Sequence, residues 1–173
     1  GHKQSDIEYP TYNDMYSTGV YARIVRVMEI PGERSELTII LQGLGKCKLD
    51  SLTETKPYLK GLTTPIMDEL PDTDTWEFKS LMKSLHQTTI EYIKKNEDMP
   101  DESRFALKNI SNEVVLVNFI CANMMFSVKE KMSMLEENSL EERIYTTLRT
   151  LNKEISLFDI RNSIRDKTRE DLD

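Results

Sequence analysis

The spacing of apolar residues changes once along the chain, near Pro71, from a period of two to a period of 3.6. From Val20 to Ile30 the residues are mostly Val, Ile and Met, with Arg23, Arg26 and Glu29 interspersed. That composition predicts a long strand partly covered on both faces. Pro31-Gly32-Glu33-Arg34-Ser35 supplies a turn, because proline fixes φ and glycine accepts positive φ. Leu37-Thr38-Ile39-Ile40-Leu41 then returns to close a β-hairpin. Gly43 and Gly45 read as a glycine-relieved junction ahead of a separate strand, Lys46 to Leu52. Leu59 to Met67, interrupted by Gly61 and Pro65, suits an edge strand.

Beyond Pro71, Phe78, Leu81, Met82, Leu85 and Tyr92 fall on one stripe, which predicts an amphipathic helix over roughly 75–95. Pro100 sits where a first helical turn tolerates proline and opens a short helix through Leu107. Glu113 to Ala122 is apolar almost all round and is expected to be the central buried helix. Ser127 with Glu130, and Ser139 with Glu142, have the spacing of capping boxes. The last helix is the longest, and its seam of Leu140, Ile144, Leu148, Leu151, Ile155 and Phe158 is spaced to pack along another helix. The pattern therefore predicts an α+β chain with a β-rich part over 1–70 and a helical bundle over 71–173.

Composition narrows the function classes. With 31% charged residues and no apolar run near the roughly 20 residues of a membrane span, no membrane association is expected. The net charge of −7 disfavours binding to phosphate backbones. Arg161, Arg165, Lys167 and Arg169 alternate with acidic residues and read as a solvated helix face. Cys47 and Cys121 lack metal or redox spacing, and with no secretory leader in view they point to a reducing, cytoplasmic location. Gly1-His2 reads as the remnant of an expression tag.

A search for chemistry finds little. Gly43-Leu44-Gly45-Lys46 resembles the end of a phosphate-binding loop, but Ile40 stands where the first glycine belongs and Cys47 where Ser or Thr is needed. His86 has no second ligand at metal spacing, and no serine lies in a nucleophile motif. No catalytic, cofactor-binding or metal-binding residue is assigned. The one candidate surface is Met124-Met125-Phe126, three large apolar residues ahead of a capped helix, with Met132 and Met134 close by. Two readings compete: an adaptable surface for varied apolar peptides, or filling of the core between helices.

The order of these segments resembles the amino-terminal, substrate-engaging domain of bacterial ATP-dependent Lon proteases. Asp14-Met15-Tyr16-Ser17-Thr18-Gly19-Val20-Tyr21-Ala22-Arg23-Ile24 is similar to that family's D-L-Y-x-x-G-x-x-A-x-I signature, with Met15 in place of leucine. Ile40-Leu41-Gln42-Gly43, Val117-Asn118-Phe119, Lys129-Glu130-Lys131 and the Leu140–Leu151 helix match further family segments in order.

The resemblance implies a small PUA-like β subdomain, here incomplete, followed by a helical bundle with a long C-terminal helix. It implies contact with unfolded or damaged polypeptides and self-association within a homohexamer. ATP and Mg would belong to a motor domain, and a Ser-Lys dyad to a protease domain, neither of which is in this chain. It also implies family strands before Gln4, so that the hairpin Val20–Leu41 would expose an unpaired edge. Pairing between chains, or poor fixing of the first twenty residues, is then expected. Two other readings stand beside it: a stand-alone PUA-like binding module, and a purely structural oligomerisation arm.

Overall fold

The computed structural model describes residues 2–4, 6–30 and 36–170, so the Pro31–Ser35 turn lies outside the described residues. The chain divides into two units, Gly1–Met67 and Asp68–Asp173.

In the first unit, β1 (Thr18–Ile30), β2 (Glu36–Glu54) and β3 (Lys60–Ile66) form an antiparallel sheet in the order β1-β2-β3. One expectation is corrected here. Gly43 and Gly45 do not separate two strands, because β2 runs through both as a single strand of 19 residues. Tyr21 pairs with Gly45 and Ala22 with Gly43, leaving Leu44 as the extra residue of a bulge. The Tyr21 ring lies across Gly45, where an added Cβ would come within 2.6 Å of it. Gly61 serves a second irregularity, between Leu49 and Ser51, where a Cβ would meet the Ser51 carbonyl at 2.7 Å. Pro65 lacks an N–H and is tolerated because β3 is an outer strand.

The first residues are tied to the sheet. His2 bridges Met15, a single 3-10 turn spans Tyr12–Asp14, and the Leu49 N–H donates to the Ser17 carbonyl at 2.7 Å. Thr11 donates both its N–H and its hydroxyl to the Asp14 carboxylate, each at 2.8 Å. These bonds hold the Asp14 carboxyl below its ordinary value.

The second unit is helical: α1 (Trp76–Lys95), α2 (Asp101–Asn109), α3 (Glu113–Asn123), α4 (Val128–Glu136) and α5 (Leu140–Glu170). The boundary falls three residues before the one read from the sequence, because Glu69 pairs across to the α4–α5 corner. Its N–H donates to the Asn138 carbonyl at 2.8 Å, and its own carbonyl accepts from the Leu140 N–H at 3.0 Å. Thr75 and Asn112 cap α1 and α3 through their side chains, and Ser127 with Glu130 closes both arms of a capping box on α4.

The core is made by Leu85, Tyr92 and Ile93 of α1, Val117 and Ile120 of α3, Met134 of α4, and Leu140, Ile144 and Leu151 of α5, all fully buried. The polar residues trapped there are satisfied locally. The Thr89 hydroxyl donates to the Leu85 carbonyl and the Thr147 hydroxyl to the Arg143 carbonyl, both at 2.7 Å. Beyond Phe158 the face of α5 is exposed, Ile160 and Ile164 included.

A second correction concerns Met124-Met125-Phe126. Met124 is 0% and Phe126 7% exposed, whereas Met125 is 56% exposed. The cause is the backbone: Met124, just past the end of α3, is extended with φ −70° and ψ 154°, and an extended chain sends successive side chains to opposite sides. The Met125 N–H donates to the Tyr92 hydroxyl at 3.1 Å, and the Phe126 ring lies 6.0 Å from that of Tyr92. Two of the three residues are therefore core, and a three-residue surface does not exist.

Changing Met124 or Phe126 to Ser should lower stability by about 2–5 kcal/mol, as deletion of buried side chains does, whereas Met125→Ser should stay within about 0.5 kcal/mol. Urea unfolding of the three variants measures this. A pH effect follows from the α4 cap. Glu130 accepts from the Ser127 hydroxyl and N–H and from the Lys153 ammonium, which lowers its pKa from an ordinary 4.5. A depressed folded pKa contributes stability above the unfolded value that is lost as pH falls through the folded one. Glu130→Gln should therefore be less stable than the parent at neutral pH, with the gap closing below about pH 4 in urea titrations.

Candidate functional site

An open groove of about 1390 Å3 with a largely apolar lining lies in the first unit. One wall is the segment Glu8–Tyr12, which leads into the 3-10 turn. The other is the end of β2, with Leu52, and the connection to β3, which carries Pro57, Tyr58 and Leu59.

Its aromatic side chains are set from the backbone outward. The Tyr12 hydroxyl donates to the Leu49 carbonyl at 3.1 Å, fixing that ring against β2. The peptide bond Lys56–Pro57 is cis, and Tyr58 follows it directly. Lys60 holds Tyr58 from the other side: its ammonium sits 5.4 Å from the ring centroid and pairs with Glu54 at 2.7 Å across the β2–β3 ladder. Tyr9 is 83% and Tyr58 64% exposed, while Tyr12 is 40% exposed. The groove thus presents large flat apolar surfaces with a polar hydroxyl on each. A few charged groups, Glu8, Asp50 and Lys56, stand at its margins.

What the groove can do chemically is bind. Tyr and Pro surfaces offer contact area at low cost in side-chain entropy. No serine or cysteine in its lining is hydrogen-bonded to a histidine, and among the described residues no three His, Cys, Asp or Glu are grouped to hold a metal. Cys121 lies in the helical core beside the Thr147 hydroxyl at 3.2 Å, and burial raises its thiol pKa. His86 is half-buried on α1. Gly43 to Lys46 lie within strand β2, so they form no phosphate-binding loop. Among the described residues, no helix is long and apolar enough to cross a membrane.

Sequence reasoning missed the groove. Tyr9, Tyr12 and Tyr58 are separated by up to 49 positions and converge only through the β2–β3 turn. The available signal was local: Tyr9-Pro10 and Pro57-Tyr58 are both aromatic–proline pairs in segments without periodicity.

Comparison with known proteins places the chain in a family. The family described as the ATP-dependent protease La (LON) substrate-binding domain matches residues 1–153. The chain is 39% identical over 170 residues to the Lon protease of Parabacteroides distasonis, covering 98% of this chain and 20% of that protein. It is 37% identical over 166 residues to the Lon protease of Flavobacterium johnsoniae, again covering 20% of the relative's length. The chain therefore spans about a fifth of these relatives. Among solved structures, the N-terminal domain of Mycobacterium avium complex Lon protease aligns with a TM-score of 0.61. The alignment covers 83% of this chain and 72% of that one; at 20% identity it shows the shared fold. The α+β chain thus belongs to the family of Lon substrate-binding domains.

Proposed function

We propose that this domain holds extended segments of unfolded or damaged polypeptide in the tyrosine-lined groove of its first unit. The observation that carries the reading is the exposure of Tyr9 and Tyr58 side by side with Pro10, Pro57 and Leu59 in one open groove. The family description names a substrate, and the relatives are named as proteases, whose substrate is a polypeptide. A groove walled by aromatic and proline surfaces selects apolar or aromatic side chains without demanding one sequence. The first unit carries eight acidic and eight basic residues, so it offers no excess of positive charge to a phosphate backbone.

The chain itself then contributes binding and not bond cleavage. The remaining four-fifths of the protein would supply the ATP- and Mg-dependent motor and the serine peptidase, assembled as a homohexamer in the cytoplasm. A second role is favoured for the helical unit by a separate observation. Met124, Phe126 and Met134 are buried while Met125 alone of that cluster is exposed, so most of it fills the core, as in an architectural arm.

Tyr9→Ser with Tyr58→Ser should weaken binding of a fluorescein-labelled, permanently unfolded polypeptide. Each aromatic anchor lost should cost about 1–2 kcal/mol, or roughly 5- to 30-fold in Kd. Because both rings are largely exposed, the Tm should move by less than about 2 °C. An unchanged anisotropy titration would place substrate elsewhere.

A further inference from the structure

Asn96 follows the last turn of α1, and its side chain is buried in the helical unit. Its Oδ1 accepts from the Asp98 N–H at 3.1 Å, which fixes the amide's orientation and turns Nδ2 toward Tyr92 and Met125. One Nδ2 hydrogen goes to the Tyr92 hydroxyl at 3.1 Å, and the other to the Met125 Sδ at 3.5 Å. A thioether is a weak acceptor, so this second hydrogen is poorly satisfied.

The Tyr92 hydroxyl is in a similar position. It is fully buried and accepts from both Asn96 Nδ2 and the Met125 N–H, each at 3.1 Å. Among the described residues no acceptor is paired with its own proton. Two buried donors therefore stand beside Met125 and would gain from an oxygen acceptor there. The Met125 side chain is meanwhile open to solvent, whereas Met99, Met124 and Met134 are buried. Met67 is more exposed still, but among the described residues Met125 has the one methionine sulfur that accepts a hydrogen bond.

We propose that Met125 is a site of reversible oxidation, and that Asn96 and Tyr92 hold its sulfoxide in place. The co-reactant is a peroxide. The sulfur lone pair attacks one peroxide oxygen, the O–O bond breaks and an S–O bond forms, so sulfur loses two electrons. The proton on the transferred oxygen passes to the departing hydroxide, which leaves as water. A dithiol-dependent reductase reverses the step, releasing the oxygen as water and joining its two thiols as a disulfide.

The geometry suits the oxidised form. With Sδ 3.5 Å from Nδ2, an oxygen carried on that sulfur reaches the same N–H without movement of the chain. An ordinary hydrogen bond of about 2.9 Å results. The Met125 N–H bond to Tyr92 holds the backbone, so the sulfoxide stays beside the same two donors. Oxidation of Met99, Met124 or Met134 would instead set a polar group among apolar neighbours.

The test is treatment of the 173-residue chain with dilute hydrogen peroxide, followed by peptide mass spectrometry and proton–nitrogen correlation spectra. Met125 should be oxidised at least about tenfold faster than Met99, Met124 and Met134. As its sulfoxide forms, the Asn96 side-chain amide protons should move downfield and exchange more slowly with solvent. Far-UV circular dichroism should not change, and methionine sulfoxide reductase should restore the original spectrum. Met125→Leu alters a mainly exposed side chain and should fold as the parent does. In that variant peroxide should leave the Asn96 signals where they are. The proposal is overturned by Asn96 signals that stay put in the oxidised chain, or by the same shift in Met125→Leu. Protection of Met125 equal to that of Met124 would also overturn it. So would a shift that the reductase does not reverse, or loss of helical signal while the buried methionines are still intact.

Discussion

Arg143 sits at the start of α5 with 4% of its side chain exposed, and a buried guanidinium must find an acceptor for each of its five N–H groups. Here it finds them all. Nε–H donates to the Met134 carbonyl at 3.0 Å. Nη1 donates to the Asp68 carboxylate at 2.9 Å and to the Asn118 side chain at 3.0 Å. Nη2 donates to the other Asp68 oxygen and to the Glu137 carbonyl, both at 2.6 Å. One side chain thereby joins the strap that opens the helical unit, the middle of α3, the end of α4 and the first turn of α5. The Glu69 backbone bonds to Asn138 and Leu140 run alongside and depend on the strap being held in place.

That network fixes the corner around which the core of the helical unit packs. With the α4–α5 corner fixed, Leu140, Ile144 and Leu151 face Tyr92 and Ile93 instead of solvent, and the extended link at Met124 to Phe126 is drawn in beneath Tyr92. The sheet unit is built on the opposite plan. Three strands cannot bury both of their faces, so its aliphatic and aromatic residues stay at the surface, where they are available to partners. Charge divides in the same way. The sheet unit is balanced, whereas the helical unit has 22 acidic against 15 basic residues and carries the whole excess of −7. The groove proposed for binding therefore lies on the neutral unit, and the acidic one is left to solubility and architecture.

Much of this was legible in the chain. The change of period near Pro71, the Thr75, Asn112 and Ser127 starts and the α5 seam are local signals, and local signals determine where helices begin and which stripe is buried. The family resemblance was legible as well. Four features were not. Gly43 and Gly45 look like punctuation, but a bulge uses glycine to bend a strand without ending it. Met124 to Phe126 look like an exposed run until the alternation of an extended backbone is applied to them. Arg143 reads as one more charge in Glu141-Glu142-Arg143; its spacing of three from Leu140 and four from Thr147, both buried, was the available sign that it faces inward. The tyrosine groove depends on a turn that brings distant segments together, which no periodicity encodes.

The central claim, that the Arg143–Asp68 pair organises the helical unit, is tested most directly by a double-mutant cycle in urea unfolding, with Arg143→Met, Asp68→Asn and both together. Removing the guanidinium takes a donor from five acceptor atoms and should cost about 3–5 kcal/mol, with a coupling energy to Asp68 of about 1–3 kcal/mol. Loss of less than about 1 kcal/mol on Arg143→Met, or additive single changes, would contradict it.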